Sequence, residues 1–147
     1  MEKDLKFEFL VDAPVSEVWK AWLNPNVIST WLANEANIEP RQGGLYELFW
    51  DPSNKEVNST IGCRIIELIP YELLYIEWKG PADFMDLMNE PASMTRVTIR
   101  FQAVDGKTRV SLIHSGWGDS PRWENAKKWH TMAWSMGLKR LGEMFEK

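Results

Sequence analysis

The chain has 147 residues, 44% of them apolar and 26% charged, with a net charge of −4. That is enough chain for one well-filled core, in the proportions of a globular fold rather than a disordered segment. A negative balance without a clustered basic surface excludes a general nucleic-acid binder, and the single cysteine, Cys63, excludes an intrachain disulfide or a Cys-rich metal site.

The N-terminal Met1-Glu2-Lys3-Asp4 is charged and runs straight into a strand pattern, with no apolar core of a secretion signal. No apolar run reaches the roughly 18 residues needed to span a membrane. With one free cysteine, these features predict a cytoplasmic protein. Leu5, Phe7, Phe9 and Val11 alternate with Lys6 and Glu8, a half-buried strand. Asp12-Ala13-Pro14 follows, with Pro14 at the expected first helical position. Val15, Val18, Trp19, Trp22 and Leu23 then share one helical face, and Asn24-Pro25 stops it. Val27, Ile28, Trp31 and Leu32 predict a second short helix.

From Asn34 onward the pattern is β. A short strand contains Ile38, and Gly43-Gly44 reads as a tight hairpin turn. Leu45 to Trp50 makes a strand with Tyr46, Leu48 and Trp50 on one face. Asp51-Pro52-Ser53-Asn54 is turn chemistry. Strands are expected over Thr60 to Ile69 and, after Pro70-Tyr71-Glu72, over Leu73 to Lys79, where Leu74, Ile76 and Trp78 face one way. Residues 80–93 are bracketed by prolines yet carry Phe84, Met85, Leu87 and Met88. They read either as a short helix or loop tucked into the core or as a lid over a pocket. Met94 to Val104 and Thr108 to Ser115 form a hairpin around Asp105-Gly106, on which Val97, Ile99 and Phe101 face the same way, as do Val110, Leu112 and His114. Ser120 is an N-cap and Pro121 a first helical residue for a closing helix to about Phe145. Its Trp123, Trp129, Met132, Trp134, Met136 and Met144 make it unusually rich in Trp and Met. Lys127-Lys128 and Lys139-Arg140 read as its solvated face.

The order is thus one strand, two short helices, about six antiparallel strands and one long helix, with no linker dividing residues 1–147. Nine Trp residues exceed what a core this size needs, so some should line a pocket or an interface. The two histidines and lone Cys63 do not match a zinc site. No nucleophile elbow appears, and Gly43-Gly44 is not followed by a phosphate-loop Lys or Ser. No cofactor and no catalytic set is therefore assigned.

Four segments carry a family resemblance. Phe9-Leu10-Val11-Asp12-Ala13-Pro14-Val15-Ser16-Glu17-Val18-Trp19 is similar to an opening strand and helix. Arg41-Gln42-Gly43-Gly44-Leu45-Tyr46 resembles a glycine hairpin. Residues 65–78, ending in Glu77-Trp78, resemble a central hairpin, and residues 108–117, ending in His114-Ser115-Gly116-Trp117, a last strand. The chain thereby resembles the START-like, helix-grip proteins of the SRPBCC superfamily, and within them the bacterial homologues of the activator of the 90-kDa heat-shock-protein ATPase. The resemblance implies an α+β fold of the Bet v-like kind, in which a curved antiparallel sheet wraps a long C-terminal helix and leaves a hydrophobic cavity between them. The eukaryotic activators carry an additional chaperone-binding domain that this chain is expected to lack, which counts against a chaperone partner.

The leading expectation is a binder of a small hydrophobic or aromatic molecule. Trp50, Leu74, Ile76, Trp78, Phe101, Leu112 and His114 would supply walls, and Phe84, Met85 and Met88 the gate. His130, Trp134 and Met136 would contribute from the helix, with the two histidines orienting the ligand. Two alternatives stay open: a cyclase-like or hydrolytic enzyme with His114 or His130 as acid/base, and an interaction protein or homodimer using exposed Trp.

Overall fold

The computed structural model describes residues 4–146. Strand β1 (Leu5–Val11) leads into helices α1 (Val15–Leu23) and α2 (Pro25–Ile28). Then come β2 (Glu35–Ile38), β3 (Tyr46–Phe49), β4 (Ile65–Ile69) and β5 (Leu73–Trp78). A short helix α3 (Met85–Met88), flanked by single 3₁₀ turns, precedes β6 (Thr95–Val104), β7 (Lys107–Ser115) and the closing helix α4 (Pro121–Met144). Five strands form one antiparallel sheet in the order β1-β7-β6-β5-β4, and β2 pairs with β3 beside it. This is the α+β helix-grip arrangement expected from the sequence.

The inner face of the large sheet follows from period-two alternation. Phe7, Leu112, Ile99 and Leu74 lie opposite one another across four strands, as do Leu5, His114, Val97 and Ile76 in the next row. Trp78 pairs with Thr95 at the end of β5. Helix α4 lays Ala126, His130, Trp134, Leu138 and Leu141, a stripe at helical spacing, against this side of the molecule. The Ser120 hydroxyl accepts the Trp123 N–H at 3.3 Å, so the expected N-cap forms.

Three local expectations are corrected. Pro14 sits at the N-cap of α1 rather than inside it. The Gly43-Gly44 pair is not a two-residue turn, because β2 and β3 are joined by residues 39–45. Gly43 takes φ +80°, while a Cβ on Gly44 would strike the Glu39 backbone. Finally, the strand expected from Thr60 begins only at Ile65. Thr60 still pairs with β3 there, its N–H donating to the Leu48 carbonyl at 2.9 Å, and its side chain adds two further bonds. Its hydroxyl accepts the Leu48 N–H and donates to the Tyr46 carbonyl, both at 2.8 Å. These bonds and the bridge between Phe49 and Ser59 carry the sheet's curvature from β3 toward β4.

Residues 80–93 are packed. Met88 is fully buried in a small second core with Trp117, Trp123 and Ala126, and Phe84 and Leu87 lie against it. Gly80 lies so close to Met88 that a Cβ there would meet its sulfur at 2.5 Å. Asn89 Oδ1 accepts the Gly80 N–H at 2.8 Å. Arg122 of α4 donates to both carboxylate oxygens of Asp86, at 2.6 and 2.9 Å, and holds that carboxyl below its usual pKa.

Candidate functional site

A cleft of about 520 Å³ opens between α4, the end of β5, and residues near Leu32 and Trp50. Its walls are mostly indole. Trp50, Trp78, Trp129 and Trp134 line it, with Met132, Ala133 and Met136 along the helix and Gly137 and Leu32 beneath. Each wall has a local cause. Trp50 donates its indole N–H to the Leu32 carbonyl at 2.7 Å, which ties the end of β3 to the segment after α2. Trp78, last in β5, stands edge-on to Trp50 with ring centres 6.0 Å apart and lies 5.1 Å from the Trp134 ring. Trp134 donates its indole N–H to His114 Nδ1 at 3.0 Å, which fixes the ring as a wall. On α4, Trp129, Ala133, Met136 and Arg140 recur at helical spacing beside the buried stripe.

The expected site residues therefore separate. Trp50, Trp78, His130, Trp134 and Met136 meet at the cleft. Leu74, Ile76 and Leu112 are fully buried in the main core, and Phe101 is there too, edge-on to Trp19. Mid-strand residues sit under packed side chains, whereas Trp78 at the strand end is free to form a wall. Phe84 and Met88 belong to the second core and Met85 is half-buried on α3, so none of the three gates the cleft. Only the root of that segment, Gly80 and Pro81, touches the rim. The remaining lining residues escaped sequence reasoning, among them Leu32, Lys79, Trp129, Met132, Ala133 and Arg140. The stripe of Trp129, Ala133, Met136 and Arg140 was the available signal. Arg140 is solvated, as read, but also borders the cleft.

The histidines do not present acid/base groups to this space. His114 is fully buried, and its Nδ1 accepts from Trp134. In the neutral ring the proton then lies on Nε2, which donates to Thr95 Oγ1 at 2.8 Å. Protonation would set two donors, His114 Nδ1 and Trp134 Nε1, against each other. Burial, and secondly the His130 ring, hold the His114 pKa well below the usual value. His130 donates Nδ1–H to the Ala126 carbonyl at 2.7 Å. That leaves its Nε2 a bare acceptor, sealed from solvent without a partner, and burial lowers its pKa to about 4. Neither ring is bonded to a carboxylate among the described residues. Burial pushes the Cys63 thiol up to about 12, so it is no nucleophile. Among the described residues no group of His, Cys, Asp and Glu side chains is placed to hold a metal ion, and no helix is long and apolar enough to cross a membrane.

Residues 12–146 match the model of a family described as activator of Hsp90 ATPase homolog 1-like protein. No curated protein matches the sequence. Among solved structures, a Mesorhizobium loti protein superposes with a TM-score of 0.75 at 19% identity, over 96% of this chain and 95% of its own. The Aha1 dimer from Colwellia psychrerythraea gives 0.75 at 16% identity, over 99% and 97%. An HSP90 activator from Plasmodium falciparum gives 0.72 at 15% identity, over 96% and 94%. At these identities the likeness establishes the fold alone.

Proposed function

The chain belongs to the family of activator of Hsp90 ATPase homolog 1-like proteins, and from that premise we propose that it binds a small apolar or aromatic molecule in the cleft beside α4. The observation that carries this reading is the cleft itself. About 520 Å³ bounded by four indole rings lies within the size range of small-molecule sites. Indoles offer flat area at little conformational cost, and the methionines on the helix adapt to shape. Burial of apolar surface, on the order of 25 cal/mol per Å² before ordering costs, would drive association. His114 takes no part in orienting the ligand, since both its nitrogens are engaged.

The test is isothermal titration of 3-phenyl-1-propanol into the protein at several temperatures. Binding with a negative heat-capacity change is expected. Ala133→Trp should fill the half-open helix wall and abolish that binding without unfolding the protein. No heat and no change in Trp emission would refute the reading.

A second reading has its own observation. Trp129, Met132 and Met136 are 44%, 68% and 54% exposed and form an apolar lip at the cleft's mouth. Self-association through this lip is consistent with the Colwellia relative being solved as a dimer. Sedimentation velocity should then show a dimer that Met132→Glu converts to monomer. A monomeric parent would dismiss it.

A further inference from the structure

The polar groups that line the cleft are unequal. The Ser59 hydroxyl donates to the Lys55 carbonyl and accepts the Ile61 N–H, so it is spent. The Asn58 side-chain oxygen accepts the Ala82 N–H. His130 spends Nδ1 on Ala126, and its Nε2 is sealed away. The side-chain groups that remain uncommitted are donors. Trp78 is only 5% exposed and its ring lines the cleft, yet its indole N–H has no protein partner among the described residues and is not among the sealed atoms. Arg140 borders the same space and is in no ion pair among the described residues, whereas Lys79, also at the border, turns its ammonium toward Gly62 and Cys63. No Asp or Glu lines the cleft, although the chain as a whole carries net charge −4.

We infer that the cleft selects a small aromatic carboxylate, its ring between the tryptophans and its carboxylate between the Trp78 N–H and Arg140. The inference rests on the binding function proposed above and adds the chemical class of the ligand. A carboxylate supplies only acceptors, which matches a wall whose free groups only donate. Charge-assisted bonds to Lys and Arg are roughly twice as strong as neutral ones, and Arg can grip a carboxylate with two parallel bonds. Indole walls favour a ring over an acyl chain, because offset or edge contacts between aromatics add to plain area burial.

Titration calorimetry with three probes sharing one body separates the outcomes: 3-phenylpropanoate, 3-phenyl-1-propanol and 3-phenylpropylamine. The acid should bind roughly tenfold or more tightly than the alcohol, the amine most weakly, and the acid's advantage should shrink with added salt. Arg140→Met, outside the packed core, should bring acid and alcohol within about twofold by lowering the acid's affinity far more than the alcohol's. Trp78→Phe should lower the acid's affinity more than the alcohol's. Equal binding of acid and alcohol, or tighter binding of the amine, would overturn the charge assignment and leave the binding function standing. Octanoate binding more tightly than 3-phenylpropanoate would overturn the aromatic assignment. Failure of all the probes would remove the binding function itself.

Discussion

His114 and His130 show how environment decides the work a residue can do. Their rings stand edge to face, 5.2 Å apart, in a nest that includes Trp117 and Trp134. Both titrate below the usual histidine value in the folded protein. The unfolded chain takes up protons on both below about pH 6.5, whereas the folded chain leaves His130 neutral until about 4. The unfolded state thus binds more protons in that window, so stability falls as pH drops through it and is unaffected by these groups above it. For His130 alone the loss should amount to roughly 3 kcal/mol across the window. Urea denaturation from pH 7 to 4.5 should show the decline, and His130→Phe should lessen it, the part due to His114 remaining. A pH-independent midpoint in the parent protein would contradict this. At pH 7 the same variant should be as stable as the parent or up to about 2 kcal/mol more so, since it removes a sealed acceptor without a partner. None of this was legible in the sequence. A histidine at a strand end next to Trp117 could be packed or catalytic, and only the direction of each hydrogen bond separates the two.

At the scale of elements, periodicity made most of the fold readable. The alternation in β1, the Asp105-Gly106 turn and the Ser120 cap each specify one local structure, and each forms. Residues 60–64 were misread as regular strand because Thr60 joins β3 through its side chain as well as its N–H, which no strand pattern encodes. Residues 80–93 posed a choice between lid and core. Their apolar residues meet Trp117 and Trp123, partners distant in sequence, and so settle as core. Met88→Ala should accordingly destabilise the protein by about 2–4 kcal/mol, measured by urea unfolding, through loss of buried contacts and the cavity left behind. A cost below about 0.5 kcal/mol would mark the segment as a loose cover instead. Its affinity for 3-phenyl-1-propanol should stay within about twofold of the parent's, because Met88 does not touch the cleft.

Across the whole molecule, the cleft exists because bulky residues cluster where sheet and helix diverge. Alternation places Leu74, Ile76 and Trp78 on one face, but it cannot say where along β5 the helix stops covering them. Trp78, buried against Trp134 of α4, stands at that limit and reaches the cleft, and the other two do not. The tryptophan count was legible as an excess and its distribution was not: Trp22 and Trp31 fill the main core, Trp117 and Trp123 the second, and four others line the cleft. That partition makes the central claim testable residue by residue. The most direct measurement is a two-dimensional ¹H–¹⁵N spectrum of the indole N–H signals, assigned by single Trp→Phe variants and recorded while 3-phenyl-1-propanol is titrated in. The signals of Trp50, Trp78, Trp129 and Trp134 should shift together and saturate, while those of Trp19, Trp31 and Trp123 stay in place. Unmoved signals throughout, or saturating shifts confined to tryptophans outside the cleft, would contradict the account.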